Sequence, residues 1–294
     1  MLAFLIAVTS ASFTYYAASD CLRNLATCFD SSGSQLAPFR YRLFEPFLTD
    51  LLNPSGTQFG AITAACILFT LLTMLTLPLL DAWLRRWTNE DRAILGACLY
   101  SLIQIAAMHA YFISLSINIE AVCVVIALSL VDKSRWPFIP LVIIASLNRE
   151  SGIVVAAIYA AWWGRAGLKQ AAALLAIYLG ITATLHIVLG GAEHTMGIIG
   201  TLQYNLTNAL DGILANLILL PLYWLTASSF RRSDARLQRL AVVAGGYLLA
   251  VVVAGSWGES MRLLLPTLIL CLPLIISDKQ STLNRRTGAE TTPP

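Results

Sequence analysis

The sequence predicts an all-α, polytopic helical membrane protein, and three observations carry that prediction. Of its 294 residues, 57% are hydrophobic and 12% charged, where a soluble domain carries about 25% charged residues. Apolar runs of helix-spanning length recur along the whole chain, and a helix needs about 20 apolar residues to cross a bilayer. The basic residues gather in short loops between those runs, which the positive-inside rule makes cytoplasmic. The formal net charge of +3 is too small for a nucleic-acid surface, so pairs such as Arg231-Arg232 read as determinants of topology.

Residues 1–18 form a short first transmembrane helix on this reading. A cleaved signal peptide is the alternative, because small residues at Ala17-Ala18-Ser19 resemble a cleavage site, but a basic segment before the apolar run is missing. The further apolar segments are 58–80, 93–113, 115–131, 137–148, 151–163, 170–190, 213–230, 240–256 and 263–277. The count is about ten, with both termini cytoplasmic. Residues 1–278 make a single transmembrane domain, and the Thr/Pro-rich residues 279–294 a disordered cytoplasmic tail.

Parity constrains the middle of the chain. Lys133 and Arg165 can share one side only if residues 136–163 go in and come back, and that stretch is short for two full spans at about 1.5 Å per residue. A hairpin of short helices, turning at Asn148-Arg149-Glu150-Ser151-Gly152, satisfies this. A single long tilted helix is the alternative, and it would put the following basic loops on the wrong side.

In the first outer loop, residues 19–57, Leu43, Phe47 and Leu51 recur at four-residue spacing with Phe39. Arg42, Glu45 and Thr49 fall opposite them. This describes an amphipathic helix lying in the membrane interface, interrupted or begun anew at Pro46. Cys66, Cys98, Cys123 and Cys271 fall in apolar runs and read as core thiols. Cys21 and Cys28 would stand about 10 Å apart on a helix, too far for a disulfide. Tyr15, Tyr16, Trp162 and Trp163 read as interface aromatics, and Gln104, His109 and His186 as satisfied residues on apolar helices.

Five of the nineteen Lys and Arg residues fall on the side opposite the basic loops: Arg23, Arg40, Arg42, Arg149 and Arg262. Four have a carboxylate nearby in sequence: Asp20 with Arg23, Glu45 with Arg42, Glu150 with Arg149, and Glu259 with Arg262. A charge near mid-bilayer costs about 2.5–3.5 kcal/mol, which makes such residues functional candidates. Adjacent helical residues do not face each other, so Arg149 and Glu150 should have different partners, whereas Glu259 and Arg262 can pair on one face. Together these arginines suggest a polar site that receives an anion.

Asp20 after the first helix, Pro38-Phe39-Arg40-Tyr41-Arg42-Leu43 with Pro46, Leu147-Asn148-Arg149-Glu150, and Glu259 with Arg262 and Pro266 resemble the GT-C class of polyprenyl-phosphate-sugar-dependent glycosyltransferases. The likeness is to the short bacterial members of that class. It implies Asp20 as the essential first-loop acid, Glu120 as a second acid at the start of a later helix, and Arg42, Arg149 and Arg262 as ligands of the lipid phosphate. Family members often follow the first acid with a Tyr-containing helix, where this chain has Cys21-Leu22-Arg23.

The chemistry needs few groups. A carboxylate takes the proton of the acceptor hydroxyl as it attacks the anomeric carbon, and cations stabilise the departing phosphate, for which the guanidinium fork is well shaped. Asp20 is the expected catalytic base, with Glu45, Glu120, Glu150 and Glu259 in support. The scheme calls for no metal or cofactor, and no His/Cys metal spacing occurs. The expected partners are a polyprenyl-phosphate-linked sugar, membrane lipids, and an acceptor glycan, lipid or protein, with no nucleic acid. The expected location is a bacterial inner membrane. A non-catalytic subunit of a membrane assembly, or a flippase-like transporter, would share these features.

Overall fold

The computed structural model describes residues 43–53, 57–110, 115–132, 136–149, 152–189, 220–254 and 265–276, with short pieces at 203, 206–208 and 217. The described residues are helical, without a strand. The helices are α1 Phe44–Leu52, α2 Gln58–Leu84, α3 Glu90–Ala110, α4 Leu115–Leu130, α5 Phe138–Asn148 and α6 Ile153–Trp163, followed by α7 Leu168–Leu189, α8 Leu220–Phe230, α9 Ala235–Ala254 and α10 Leu265–Ile276.

Helix α4 is the centre of the bundle. It packs on α2, α5, α6 and α10 and buries nearly every residue from Leu115 to Leu128, Ser116, Asn118 and Glu120 among them. Around it, α9 lies against α6 and α10, α3 against α2 and α10, α7 outside α5 and α6, and α8 outside α10.

Local chemistry sets several boundaries. Helix α3 starts three residues before the apolar run, because the Asn89 side chain accepts from the amide of Arg92. Glu90 and Asp91 then sit in its first turn, where the helix dipole favours acids. Pro46 falls in the first turn of α1, where its missing N–H is no loss. Phe44 and Leu48 of that helix pack on the core, while Leu43, Phe47 and Leu51 are exposed. The apolar strip of the first loop is therefore shared between the bundle and its surroundings.

Residues 136–163 do turn back on themselves, which excludes a single long helix. Phe138 at the start of α5 meets Tyr159 near the end of α6, with ring centroids 5.0 Å apart. A Cβ on Gly152 would lie 2.7 Å from the Ala145 carbonyl carbon and the Ser146 nitrogen, so the turn admits only glycine without movement. Gly164, with φ of 55°, ends α6 and lets the chain enter α7.

The stretch Ile67–Leu84 of α2 is long and apolar enough to cross a membrane. So is Ile153–Val188, although Gly164 divides it and the 22-residue α7 is its sufficiently long part. Helix α7 buries Ala171, Leu174 and Tyr178 as one stripe and exposes Leu175, Leu179, Ile187 and Val188. An apolar helix covered along one stripe alone suits lipid surroundings.

Candidate functional site

Many helix ends meet at one end of the bundle, and the fixed points are polar. Asp132, just after α4, accepts from Arg86 Nη1 at 3.1 Å and from the Trp162 indole at 2.9 Å, and lies 3.8 Å from Arg236. Trp83, Trp87 and Trp162 pack with centroids 5.5–6.0 Å apart. Arg86 stands over Trp83 and Arg236 over Trp162. Arg239 donates to the carbonyls of Ala161 and Trp162 at the end of α6, and Arg92 to that of Ile276 at the end of α10. Arg85 bridges Asp81 and Glu90, and hydrogen bonds to Glu90 and then Asp81 raise its pKa above the ordinary value. Trp162 is buried here, so it serves the packing between helices more than an interface belt; Trp163 is partly exposed and fits the belt reading.

A smaller polar cluster lies towards the opposite end, where α4 begins and α5 turns into α6. Its charged members are Arg149 and Glu120, whose Nε and Oε2 atoms are 3.7 Å apart with side-chain exposures of 5% and 4%. This is an ion pair, and at that separation the two atoms are too far apart for a hydrogen bond. Glu120 also accepts from the Tyr247 hydroxyl of α9 at 3.2 Å. Asn148, the last residue of α5, donates to the Ser116 carbonyl at 2.7 Å, which ties the hairpin to the first turn of α4. Gln104 of α3 donates to Asn118 at 2.6 Å. The Leu43 amide, entering α1, donates to the Leu147 carbonyl at 3.0 Å.

Gln104, Asn118 and Asn148 are each about 1% exposed. The Gln104 and Asn148 side-chain oxygens and the Asn118 side-chain nitrogen lack hydrogen-bond partners. A buried polar atom left without a partner costs about 1–3 kcal/mol, and three in one place mark a region poised for a polar ligand. The arrangement offers one guanidinium, one carboxylate and uncommitted amide groups, which suits an oxyanion or a polyhydroxylated group.

Two residues predicted from sequence, Arg149 and Glu120, are thus brought together across twenty-nine positions. The described carboxylate beside Arg149 is Glu120, from a different helix; Arg149 itself is extended just past the end of α5, so the rule for adjacent helical residues does not govern it. Glu120 sits in the second turn of α4, so its ion pair, not a helix-terminus effect, accounts for its burial. Asp20, Arg42, Glu150, Glu259 and Arg262 lie outside the described residues, as do Arg23, Arg40 and the side chain of Glu45. Gln104 joins the cluster rather than being a fully satisfied core residue. Asn118 and Tyr247 were not legible as site residues. The one signal for Asn118 was its place with Ser116 and Glu120 at the head of an apolar run, and Tyr247 gave none.

Among the described residues, no three His, Cys, Asp or Glu side chains form a group that could hold a metal. Cys98, Cys123 and Cys271 are free thiols. No protein-family model, no curated protein and no solved structure matches this chain.

Proposed function

We propose that the chain is a multi-pass membrane glycosyltransferase of GT-C type that moves one sugar from a polyprenyl-phosphate donor to an acceptor glycan, lipid or protein. Its basic end and both termini face the cytoplasm of a bacterial cell, and transfer takes place on the other side of the inner membrane.

The observation that carries this reading is the buried Arg149–Glu120 pair, set among amides that each keep one polar atom without a partner. Such a pair contributes little to stability compared with an apolar packing of the same volume, and in a membrane-embedded bundle it is a functional feature by default. Glu120 precedes Asp132 by twelve residues, about 18 Å along a helix. With the basic end at one interface of a core about 30 Å thick, the pair falls in the outer half of the bilayer, about 12 Å below the outer interface, so a lipid phosphate would have to enter the bundle to meet it.

In the reaction, the acceptor hydroxyl attacks the anomeric carbon, the bond from that carbon to the phosphate oxygen breaks, and polyprenyl phosphate leaves with the electron pair. Asp20 takes the hydroxyl proton. Arg149, Arg42 and Arg262 receive the phosphate, with Glu120 holding Arg149 in place and Glu45, Glu150 and Glu259 supporting the other cations. In sequence Arg42 directly precedes Leu43, whose amide donates to the Leu147 carbonyl in the last turn of α5, two residues before Arg149, and this supports it as a second ligand.

Purified full-length protein, incubated with a panel of polyprenyl-phosphate sugars and simple glycan or lipid acceptors, should release polyprenyl phosphate and form a new glycoside. Asp20→Asn should lower the rate by at least about 100-fold. Turnover by Asp20→Asn at the wild-type rate would remove Asp20 as the base. Tight donor binding with no glycoside formed across the panel would favour a non-catalytic subunit.

A further inference from the structure

A second site lies at the basic end, away from the Arg149 cluster. Helices α5 and α7 both start there and pack side by side, leaving a groove of about 280 Å³ between them. Trp136, Lys169 and Gln170 line its mouth, and Ile139, Ala173 and Ile177 its walls. Lys169 and Trp136 are exposed, Trp136 at 65%. From Lys169 to Ile177 the groove follows α7 for about 12 Å.

Three features of the groove point to one kind of occupant. Its depth is apolar and lies on α7, which also exposes Leu175, Leu179, Ile187 and Val188. The mouth carries a cation, Lys169, and the groove's lining has no acid; the nearby Asp132 is already held by Arg86 and Trp162. The Gln170 side-chain oxygen is buried without a hydrogen-bond partner, which calls for a donor from whatever fills the mouth.

We propose that this groove binds an anionic glycerophospholipid with a hydroxyl-bearing headgroup, of which phosphatidylglycerol is the type. The phosphate meets Lys169, a headgroup hydroxyl donates to Gln170, Trp136 lies at headgroup level, and one acyl chain runs along Ile139, Ala173 and Ile177. Lysine suits this place because its apolar stem follows the groove while the ammonium stays at the surface. The site rests on α7 crossing the membrane and is independent of any sugar transfer.

The test is native mass spectrometry of the full chain, stripped of lipid in a mild detergent and titrated with phosphatidylglycerol or phosphatidylcholine. Phosphatidylglycerol should give a defined one-lipid adduct at concentrations where phosphatidylcholine gives little. Lys169→Gln should weaken that adduct about fivefold, and Ala173→Phe, which fills the groove from an exposed position, should abolish it. Val242→Phe, on the exposed face of α9, should leave it unchanged. Equal binding of the two lipids, or equal loss in all three variants, would overturn the proposal in favour of non-specific annular lipid. A doubled mass lost in Ala173→Phe would overturn it in favour of a second copy of the chain.

Discussion

The two ends of this bundle use the same residue types for opposite purposes. At the basic end, arginines and carboxylates are partly exposed: Arg86 and Asp132 show 40% and 48% of their side chains. They are numerous, they share partners, and they lean on tryptophan rings. At the other end, a single described arginine meets a single described carboxylate in near-complete burial. Exposed pairs contribute about 0–1 kcal/mol each, whereas removing one member of a buried pair costs about 3–5 kcal/mol. The basic end ties helix ends together through many weak contacts. The buried pair places several kcal/mol on one contact, and that imbalance is the ground of the proposed function.

The largest expected effect is on stability at the buried pair. Arg149→Met leaves the Glu120 carboxylate uncompensated and should lower stability by about 3–5 kcal/mol in a denaturant titration in micelles. The double variant Arg149→Met with Glu120→Leu should recover most of that loss. A double variant as unstable as the single one would show that packing, not charge, dominates there.

The next effect tests the hairpin that presents Arg149. Gly152→Ala puts a Cβ about 2.7 Å from the α5 backbone and should cost about 1–3 kcal/mol in the same titration. A neutral outcome would mean that the turn between α5 and α6 is less tight than described.

The smallest effect belongs to the basic end. Arg86→Gln removes an exposed pair to Asp132 while Trp162 and Arg236 remain on that carboxylate, so the loss should stay within about 1 kcal/mol. A cost comparable to that of Arg149→Met would erase the distinction between the two ends.

Much of the fold was legible in the sequence because apolar runs and basic loops are local signals. The runs marked the described helices from α2 to α10 to within a few residues; the start of the run at α8 lies outside the described residues. The charge parity of Lys133 and Arg165 called for the turn near Gly152. What escaped was tertiary. Nothing in the neighbourhood of Arg149 names Glu120 as its partner, because α4 and α5 meet only when the bundle forms. Gln104 looked like any polar residue on an apolar helix, and Tyr247 lies on a different helix again. The capping of α3 by Asn89 was present in the sequence but hidden by the later onset of apolarity.

The most direct test compares the two ends in binding polyprenyl phosphate to the purified full-length protein. Arg149→Lys keeps the charge beside Glu120 but loses the guanidinium fork, and should weaken binding at least about tenfold, or 1.4 kcal/mol, while Arg86→Gln binds as wild type does. Undiminished binding by Arg149→Lys, or an equal loss in Arg86→Gln, would contradict the assignment of the lipid phosphate to the buried pair.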